Sequence, residues 1–369
     1  MRRNKLPETL KRYFRILQMP QACKTDRLVV MNSPALSRYR IDLDTGCRQF
    51  VHVPSLLREG ATEVFAVSDR RRVLLPLSDG VSVGPEIVAS RFHVSAPFGT
   101  GSLYRLSSGE RQFLGQIQSW DERYQTGKAW YLGRSGATSR VALFINDHEL
   151  AGLAEHTETS LRLIPLRQVG AFLNGQDAAI ATHATCLGLW HLDTNYCSRC
   201  ATRLEIAGAG WELHCPRCGE IIYPRQDPSV IVAINDEADR LLLAHNSAWE
   251  ANFYSVIAGY VEAGESLEGA VHREVGEEVG LEVDEVRYLI SQPWPYPRSL
   301  MLGFSARSRI PYFILDETEI DRALWVTRAE FMELVASRQI SPPGPSTIAS
   351  NLIENWLGCP IIRPQDNYL

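Results

Sequence analysis

Four cysteines sit within a short stretch of this 369-residue chain, in the order C-x2-C, fourteen residues, C-x2-C: Cys197, Cys200, Cys215 and Cys218. Each pair can turn two thiolates toward one point. Two such knuckles complete a tetrahedral four-sulfur site for Zn²⁺. The spacer is one residue under the usual window of about 15–20. Gly208 and Gly210 inside it suit a hairpin tip; Gly219 follows the last knuckle, where Ala201 follows the first. Four protein ligands leave the metal no open position, so one structural zinc per chain is expected to organise the fold rather than react. Two disulfides are the competing arrangement, and a reducing compartment disfavours them. Cys23, Cys47, Cys186 and Cys359 are scattered and are expected as small core residues.

The second constellation is acidic. From Gly259 to Leu281 the chain reads GYVEAGESLEGAVHREVGEEVGL. Ser266 is a plausible helix N-cap and Gly280 a plausible terminator. At about 100° per residue, Leu267, Ala270, Val271, Val275 and Val279 share one face. Glu274 and Glu278 fall inside that apolar stripe, and Glu277 borders it. A solvated charge run would put its acids on the opposite side. Buried carboxylates are costly unless paired or metal-bound, and Glu274 and Glu278, spaced i, i+4, can converge on one cation. Clustered oxygen ligands suit a hard divalent ion such as Mg²⁺, which bridges carboxylates and substrate phosphates. Arg273, next to Glu274, can orient a carboxylate through its planar fork. Gly269 and Gly276 fall on the outer face, where each costs the helix roughly 1 kcal/mol relative to Ala.

This stretch resembles the Nudix box, G-x5-E-x7-R-E-U-x-E-E-x-G-U, with U a bulky aliphatic. Gly259, Glu265, Arg273, Glu274, Val275, Glu277, Glu278, Gly280 and Leu281 fill its fixed positions. The resemblance implies an α/β/α sandwich around a mixed sheet. It also implies Mg²⁺- or Mn²⁺-dependent hydrolysis of a nucleoside diphosphate linked to another group. Glu274, Glu277 and Glu278 are then the expected metal ligands and catalytic residues, with Glu278 the preferred base.

Downstream, Ser291-Gln292-Pro293-Trp294-Pro295-Tyr296-Pro297-Arg298-Ser299 resembles the SQPWPFPxS signature of NADH pyrophosphatases, also known as NAD-capped RNA hydrolases, with Tyr296 in place of Phe. Its prolines stiffen the segment, so it can hold Gln292 and Trp294 against a ligand at little ordering cost. A zinc ribbon ahead of the Nudix domain is typical of that family. So are Leu166-Arg167-Gln168-Val169, Asp177-Ala178-Ala179, Ile222-Tyr223-Pro224, Pro342-Pro343-Gly344 and Thr347-Ile348-Ala349. The resemblance implies substrate contacts from Arg167, Tyr223, Tyr260, Gln292, Pro293, Trp294, Pro295, Tyr296, Pro297, Arg298, Ser299 and Ala349. It implies NADH or NAD, and NAD caps of RNA, as substrates, and a homodimer. One position departs: the family's late acid, in E-A-x-W, is Arg322 here, within Asp321-Arg322-Ala323-Leu324-Trp325. A cation cannot be a metal ligand. Either Asp321 reaches in through a strand irregularity or the site has one carboxylate fewer, and Glu319 would face away in a regular strand.

Positioning these groups requires real cores, and the composition supplies them: 45% of residues are apolar and 22% charged. The formal charge of −5 excludes a chain whose whole surface grips nucleic acid. Apolar runs are far shorter than the roughly 20 residues of a spanning helix, so no membrane partner is expected. The basic start, MRRNKLPETLKRYFRILQMP, has no apolar h-region and is not read as a secretory signal; a cytoplasmic setting is the expectation. The overall class is α+β and multidomain. A β-rich N-terminal domain over 1–185 shows alternating pieces at Arg72–Leu75 and Arg140–Ile145, with turn signals at 78–80 and 98–101. A helix-like stretch, Asp177–His191, leads to the ribbon over 190–225. The Nudix-like domain spans 226–369 and opens on a hairpin, Ser229–Ile234 and Arg240–His245, turning at Asn235-Asp236-Glu237. Two rivals are a zinc-ribbon nucleic-acid-binding protein with an inactive Nudix domain, and a Nudix enzyme for another dinucleotide such as ADP-ribose. The three box glutamates argue against the first and the SQPWP segment against the second.

Overall fold

A computed structural model describes residues 33–37, 39–68, 71–76, 102–153, 155–157, 159, 161–315 and 318–363. The basic start, Cys23 and the turn signals at 78–80 and 98–101 lie outside the described residues.

The N-terminal unit is built on strands β1 (Glu63–Val67), β2 (Arg72–Pro76), β3 (Ala129–Ser135), β4 (Thr138–Phe144) and β5 (Leu161–Pro165), in the order β3-β4-β1-β2-β5. β1 and β4 run parallel and the other pairs antiparallel. Successive side chains point to opposite faces of a strand, and here both faces are covered. Val64, Ala66, Leu74, Val141 and Leu143 enter one core; Phe65, Val67, Val73, Leu75, Ala142 and Phe144 enter another. The expected strand pieces therefore fall in β2 and β4. Sequence patterning missed the short helices between strands, such as Ser108–Ile117, whose Ser107 and Glu110 form a capping box. The S-x-x-E spacing was a readable signal for it.

The second of these cores is closed by helix α1 (Gly175–Asp193) and by the ribbon, which contributes Cys197, Leu204, Leu213 and Cys215. α1 is apolar nearly all round, as a helix buried between layers must be. Asp177 in its first turn is 1% exposed and is compensated by the Leu103 amide at 2.9 Å and Arg105 at 3.0 Å. In the ribbon, β6 (Glu205–Ala207), β7 (Glu212–His214) and β8 (Ile221–Ile222) form an antiparallel sheet. The expected glycine tip lies between β6 and β7, with Gly210 at φ 97°. A Cβ there would collide with Trp130 of β3, so the tip presses on the N-terminal sheet. Trp211 seals the contact by donating its indole N–H to the Tyr131 carbonyl at 2.7 Å.

The C-terminal unit is a mixed six-stranded sheet. Its strands are β9 (Asp227–Asn235), β10 (Leu241–Asn246), β11 (Ile257–Tyr260), β12 (Val283–Trp294), β13 (Ser299–Ser308) and β14 (Ile320–Val326). The order is β12-β13-β9-β10-β14, with β11 also paired to β9; β13 and β9 are parallel. Helix α2 (Leu267–Val279) lies on one face, and α3 (Arg328–Ala336) and α4 (Ile348–Leu357) on the other. Strand β9 shows the sorting: Val230, Val232 and Ile234 pack toward α2, while Ile231 and Ala233 pack toward α3 and α4. This is the expected α/β/α sandwich. The expected opening hairpin is β9–β10, joined antiparallel.

The scattered cysteines are only partly as expected. Cys186 and Cys359 are half-buried, but Cys47 is exposed. It ends the turn over 45–47, where its amide is given to the Asp44 carbonyl and no apolar layer covers it. No helix among the described residues is long and apolar enough to cross a membrane.

Candidate active site and metal centres

Helix α2 begins and ends where its residues require. The Ser266 hydroxyl accepts the Gly269 amide at 3.1 Å, and Gly280 closes the helix at φ 62°, in the left-handed region. Gly269 thereby gains a reason, because a Cβ would press on the capping oxygen, whereas nothing lies within 4 Å of one added at Gly276. Ala270, Val271, Val275 and Val279 are fully buried, and Glu278 in the same stripe is 8% exposed.

Arg273 organises the acids beside this stripe. Its fork binds Glu265 twice, at 2.8 and 3.0 Å. A third nitrogen meets Glu274 at 2.9 Å and Glu277 at 3.0 Å, and the guanidinium also donates to the Tyr260 carbonyl at 2.8 Å. One planar cation thus ties the end of β11, the loop before α2 and two turns of α2 into one geometry, which a lysine's point charge could not do. The Arg273 pairing holds the Glu265 carboxyl below the usual range. Glu274 goes the other way: burial raises it first, and the charges of Glu277 and Glu319 add to this against the pull of Arg273. Gly259 explains how a carboxylate fits there at all. A Cβ at that position would overlap the Glu274 carboxyl group, so only glycine leaves it room.

The late strand behaves differently from expectation. His245 pairs with Arg322 and Asn246 with Ile320, so Asp321 is an extra, bulged residue. The irregularity exists, but it sends the Asp321 carboxylate to His245 Nδ1 at 2.5 Å, not toward α2. His245 follows Leu241 and Leu243, whose side chains face α3 and α4, and it is 2% exposed. Arg322 joins the same cluster at 2.9 Å from His245 Nε2. Glu319 precedes the strand, and its charge bears on Glu274. The expectation that Glu319 faces away assumed unbroken alternation from 319 to 322, and the bulge removes that premise.

The donor set on and near α2 is all carboxylate oxygen, crowded with like charge and partly dehydrated, which fits a hard divalent cation. The acids do not yet converge as a closed cage. Among the described residues, the group of three or more potential ligands whose atoms lie within 4.8 Å of one another is the cysteine set. There Cys197 and Cys218 sulfurs are 3.6 Å apart and Cys200 and Cys215 3.4 Å. Tetrahedral ligation at about 2.3 Å requires sulfurs about 3.8 Å apart, so the four fit zinc, and all four are free thiols rather than disulfides. Both knuckles need a left-handed residue after the second cysteine: Gly219 has φ 73° and Ala201 φ 57°.

The residues expected at the substrate divide into two groups. Tyr260 and Tyr223 are 51% and 62% exposed, and the Tyr260 hydroxyl lies 3.3 Å from that of Ser299. Arg167 and Pro297 are also exposed and Pro293 and Arg298 half-buried, whereas Pro295 and Ala349 are buried. Gln292 has no exposed surface; its amide donates to the Ser346 carbonyl at 2.8 Å. Trp294 packs against the N-terminal core, with Tyr296 beside it at 4.6 Å between ring centroids. Burial pushes the Tyr296 hydroxyl up to about 12.

Residues 225–343 match the NUDIX domain family and residues 193–223 the NADH pyrophosphatase zinc ribbon domain. The chain therefore carries a Nudix domain with an NADH-pyrophosphatase-type zinc ribbon directly ahead of it. Its similarity to particular proteins is narrower. NAD-capped RNA hydrolase NudC of Mycobacterium bovis (strain BCG / Pasteur 1173P2) is 39% identical over 205 residues, covering 53% of this chain and 66% of that protein. NudC of Pseudomonas aeruginosa (strain LESB58) is 39% identical over 177 residues, covering 48% and 63%. The chain thus spans just under two thirds of the length of these relatives. Among solved structures, a NUDIX hydrolase from Nitrosomonas europaea aligns at 19% identity and TM-score 0.35, over 46% of this chain and 97% of that one.

Proposed function

We propose that this chain is a divalent-metal-dependent hydrolase that cuts the pyrophosphate of NADH or NAD into AMP and nicotinamide mononucleotide, reduced from NADH and oxidised from NAD. On NAD-capped RNA the same cut leaves 5′-phosphate RNA. The observation that carries this reading is the Arg273-centred clamp, which holds Glu265, Glu274 and Glu277 beside buried Glu278. The two relatives named NAD-capped RNA hydrolase support the substrate class. Mg²⁺ or Mn²⁺ held by Glu274, Glu278 and Glu277 would neutralise the bridging phosphates and make water a stronger acid. Glu278 takes the proton of the water as it adds in line to phosphorus. The P–O bond to the bridging oxygen breaks, and the leaving phosphate departs with that oxygen. Zn²⁺ on Cys197, Cys200, Cys215 and Cys218 braces the fold. The reading includes a homodimer in the cytoplasm, where free thiols persist to hold the metal.

Discrimination comes from groups beyond the phosphates. Tyr260 and Tyr223 offer exposed aromatic faces, and base–aromatic stacking is worth about 1–3 kcal/mol. A competition assay with NADH, NAD, ADP-ribose and NAD-capped RNA tests the reading. Preference for the nicotinamide substrates supports it, and preference for ADP-ribose rejects it. Tyr260→Ala is expected to weaken NADH use about 5- to 150-fold, from that stacking range, while sparing a minimal pyrophosphate. Equal losses on both substrates would mean that Tyr260 braces the fold.

Glu319, not Asp321, serves as the additional acid in this reading. Glu319→Gln is expected to raise the Mg²⁺ concentration for half-maximal rate several-fold. Asp321→Asn should leave that titration unchanged, because its carboxylate is engaged by His245. A shifted titration for Asp321→Asn with none for Glu319→Gln would reverse the assignment.

A further inference from the structure

Strands β10 and β14 sort their side chains by face until β10 ends. Leu243 and Leu324, paired across the two strands, face α3 and α4, and the next pair, Ala244 and Ala323, faces α2. His245 and Arg322 follow and return to the first face. There Tyr254 packs 5.5 Å from the imidazole, and the Arg322 guanidinium lies 5.6 Å from the same tyrosine ring. Strict alternation would next turn Asp321 toward α2 and Ile320 away from it. The opposite is found. Asn246 pairs with Ile320, and Ile320, 3% exposed, lies in the α2 core with Val271 and Val275. A one-residue slip exchanges the two faces of a strand, so the bulge decides which side chain of β14 enters that core.

One buried side chain holds the slip. His245 Nδ1 donates to the Asp321 carboxylate at 2.5 Å, because an ionised carboxylate can only accept. His245 Nε2 stands 2.9 Å from the Glu250 carbonyl and 2.9 Å from the Arg322 guanidinium. The imidazole, 2% exposed, thus touches the bulge, the strand position opposite it and the loop that follows β10. That loop comes back to the same place, where the Ser247 amide donates to the Glu319 carbonyl at 2.8 Å. His245, Asp321, Glu319, Ser247 and Glu250 therefore close a circuit of chain and hydrogen bonds around the start of β14. Burial of Ile320 favours the same slip, but it does not fix Glu319, whose carbonyl is held through the loop.

We infer that His245 is a positioning residue: it locks the bulge of β14 to the loop after β10, so that Ile320 enters the α2 core and Glu319, the residue before it, is held next to the glutamate helix. Arg322, at the place of the family's late acid, belongs to this lock rather than to a metal site. The catalytic consequence, and that alone, rests on the reading above in which Glu319 supplies the additional acid.

The test opens the lock from both ends. His245→Phe keeps an aromatic ring beside Tyr254 and removes both nitrogens. Asp321 and Arg322 are 41% and 43% exposed, so water can take up their charges and the strand pair should survive. Asp321→Ala removes the acceptor at the bulge, whereas Asp321→Asn retains one. His245→Phe and Asp321→Ala are expected to speed amide hydrogen exchange in residues 246–250 and 318–322 by about 10- to 150-fold, the range for loss of one hydrogen bond to a charged group. Exchange across α2 should stay as in the parent. Both variants should also raise the Mg²⁺ concentration for half-maximal NADH hydrolysis several-fold, as Glu319→Gln does, and Asp321→Asn should move neither readout. Combining His245→Phe with Glu319→Gln should shift the Mg²⁺ dependence no further than Glu319→Gln alone, because one residue acts through the other. Additive shifts overturn the inference, as does unchanged exchange in both single variants. So does a change in only one of the two readouts while Glu319→Gln shifts the Mg²⁺ dependence. Faster exchange that extends through α2 would mean general loss of stability and overturns it too. If Glu319→Gln leaves the Mg²⁺ dependence unmoved, or the parent chain does not cut NADH, the functional reading fails instead, and the lock stands or falls on the exchange data.

Discussion

Glu278→Gln is expected to lower NADH hydrolysis by at least about 10²-fold, the lower range for loss of one acid–base group, with the fold intact. The substitution keeps volume and shape in a stripe where Ala270, Val271, Val275 and Val279 are fully buried. What it removes is a negative charge and a proton acceptor at a position 8% exposed, where bulk water cannot take over either role. Glu277→Gln is the control. Its carboxylate is 60% exposed and bound to Arg273, so the same change there should cost less. Measuring kcat at saturating Mg²⁺ for both variants, with circular dichroism to verify the helix, separates chemistry from folding. A Glu278→Gln chain with near-full activity would mean that α2 is not the catalytic helix.

Helix α2 was legible because its signals are local. A capping serine, an αL glycine and a 3.6-residue apolar period all lie within one segment, and glutamates inside the stripe are anomalous for any reader of the pattern. The cysteine site was legible for the same reason, since ligand spacing within a knuckle fixes its geometry. What stayed open was what depends on a neighbouring strand. Nothing within residues 319–325 announces that His245 will pair with Arg322 while Asn246 pairs with Ile320. One extra residue then hands Asp321 to His245. The contacts of the signature hairpin lie likewise beyond its own residues, because stiffness does not say which side chains meet a neighbouring unit. That depends on where the N-terminal unit docks, as the Arg167–Tyr296 and Ser37–Ser291 bonds illustrate. Cys47 was misjudged from residue type alone. Gly259 had a motif position but no visible purpose until the Glu274 carboxyl group was found above it.

The zinc centre carries the second large effect, because its sulfurs are not confined to a peripheral module. Cys197 and Cys215 are each 2% exposed and lie in the same core as Trp130, Leu132 and α1. Metal binding at such sites is folding free energy, with apparent values of about 10–16 kcal/mol in isolated zinc-finger peptides. Here part of that cost is shared with the ribbon's own contacts, such as Trp211 to Tyr131. The purified chain is expected to hold one zinc. Cys215→Ser replaces a thiolate with a neutral hydroxyl, which should release the metal and destabilise the N-terminal unit by several kcal/mol, lowering its denaturation midpoint. Cys47→Ser, at an exposed thiol, should stay within about 0.5 kcal/mol of the parent, as surface changes do. A well-folded chain free of zinc by elemental analysis, or a Cys215→Ser variant that keeps both its metal and its midpoint, would remove the centre from this account.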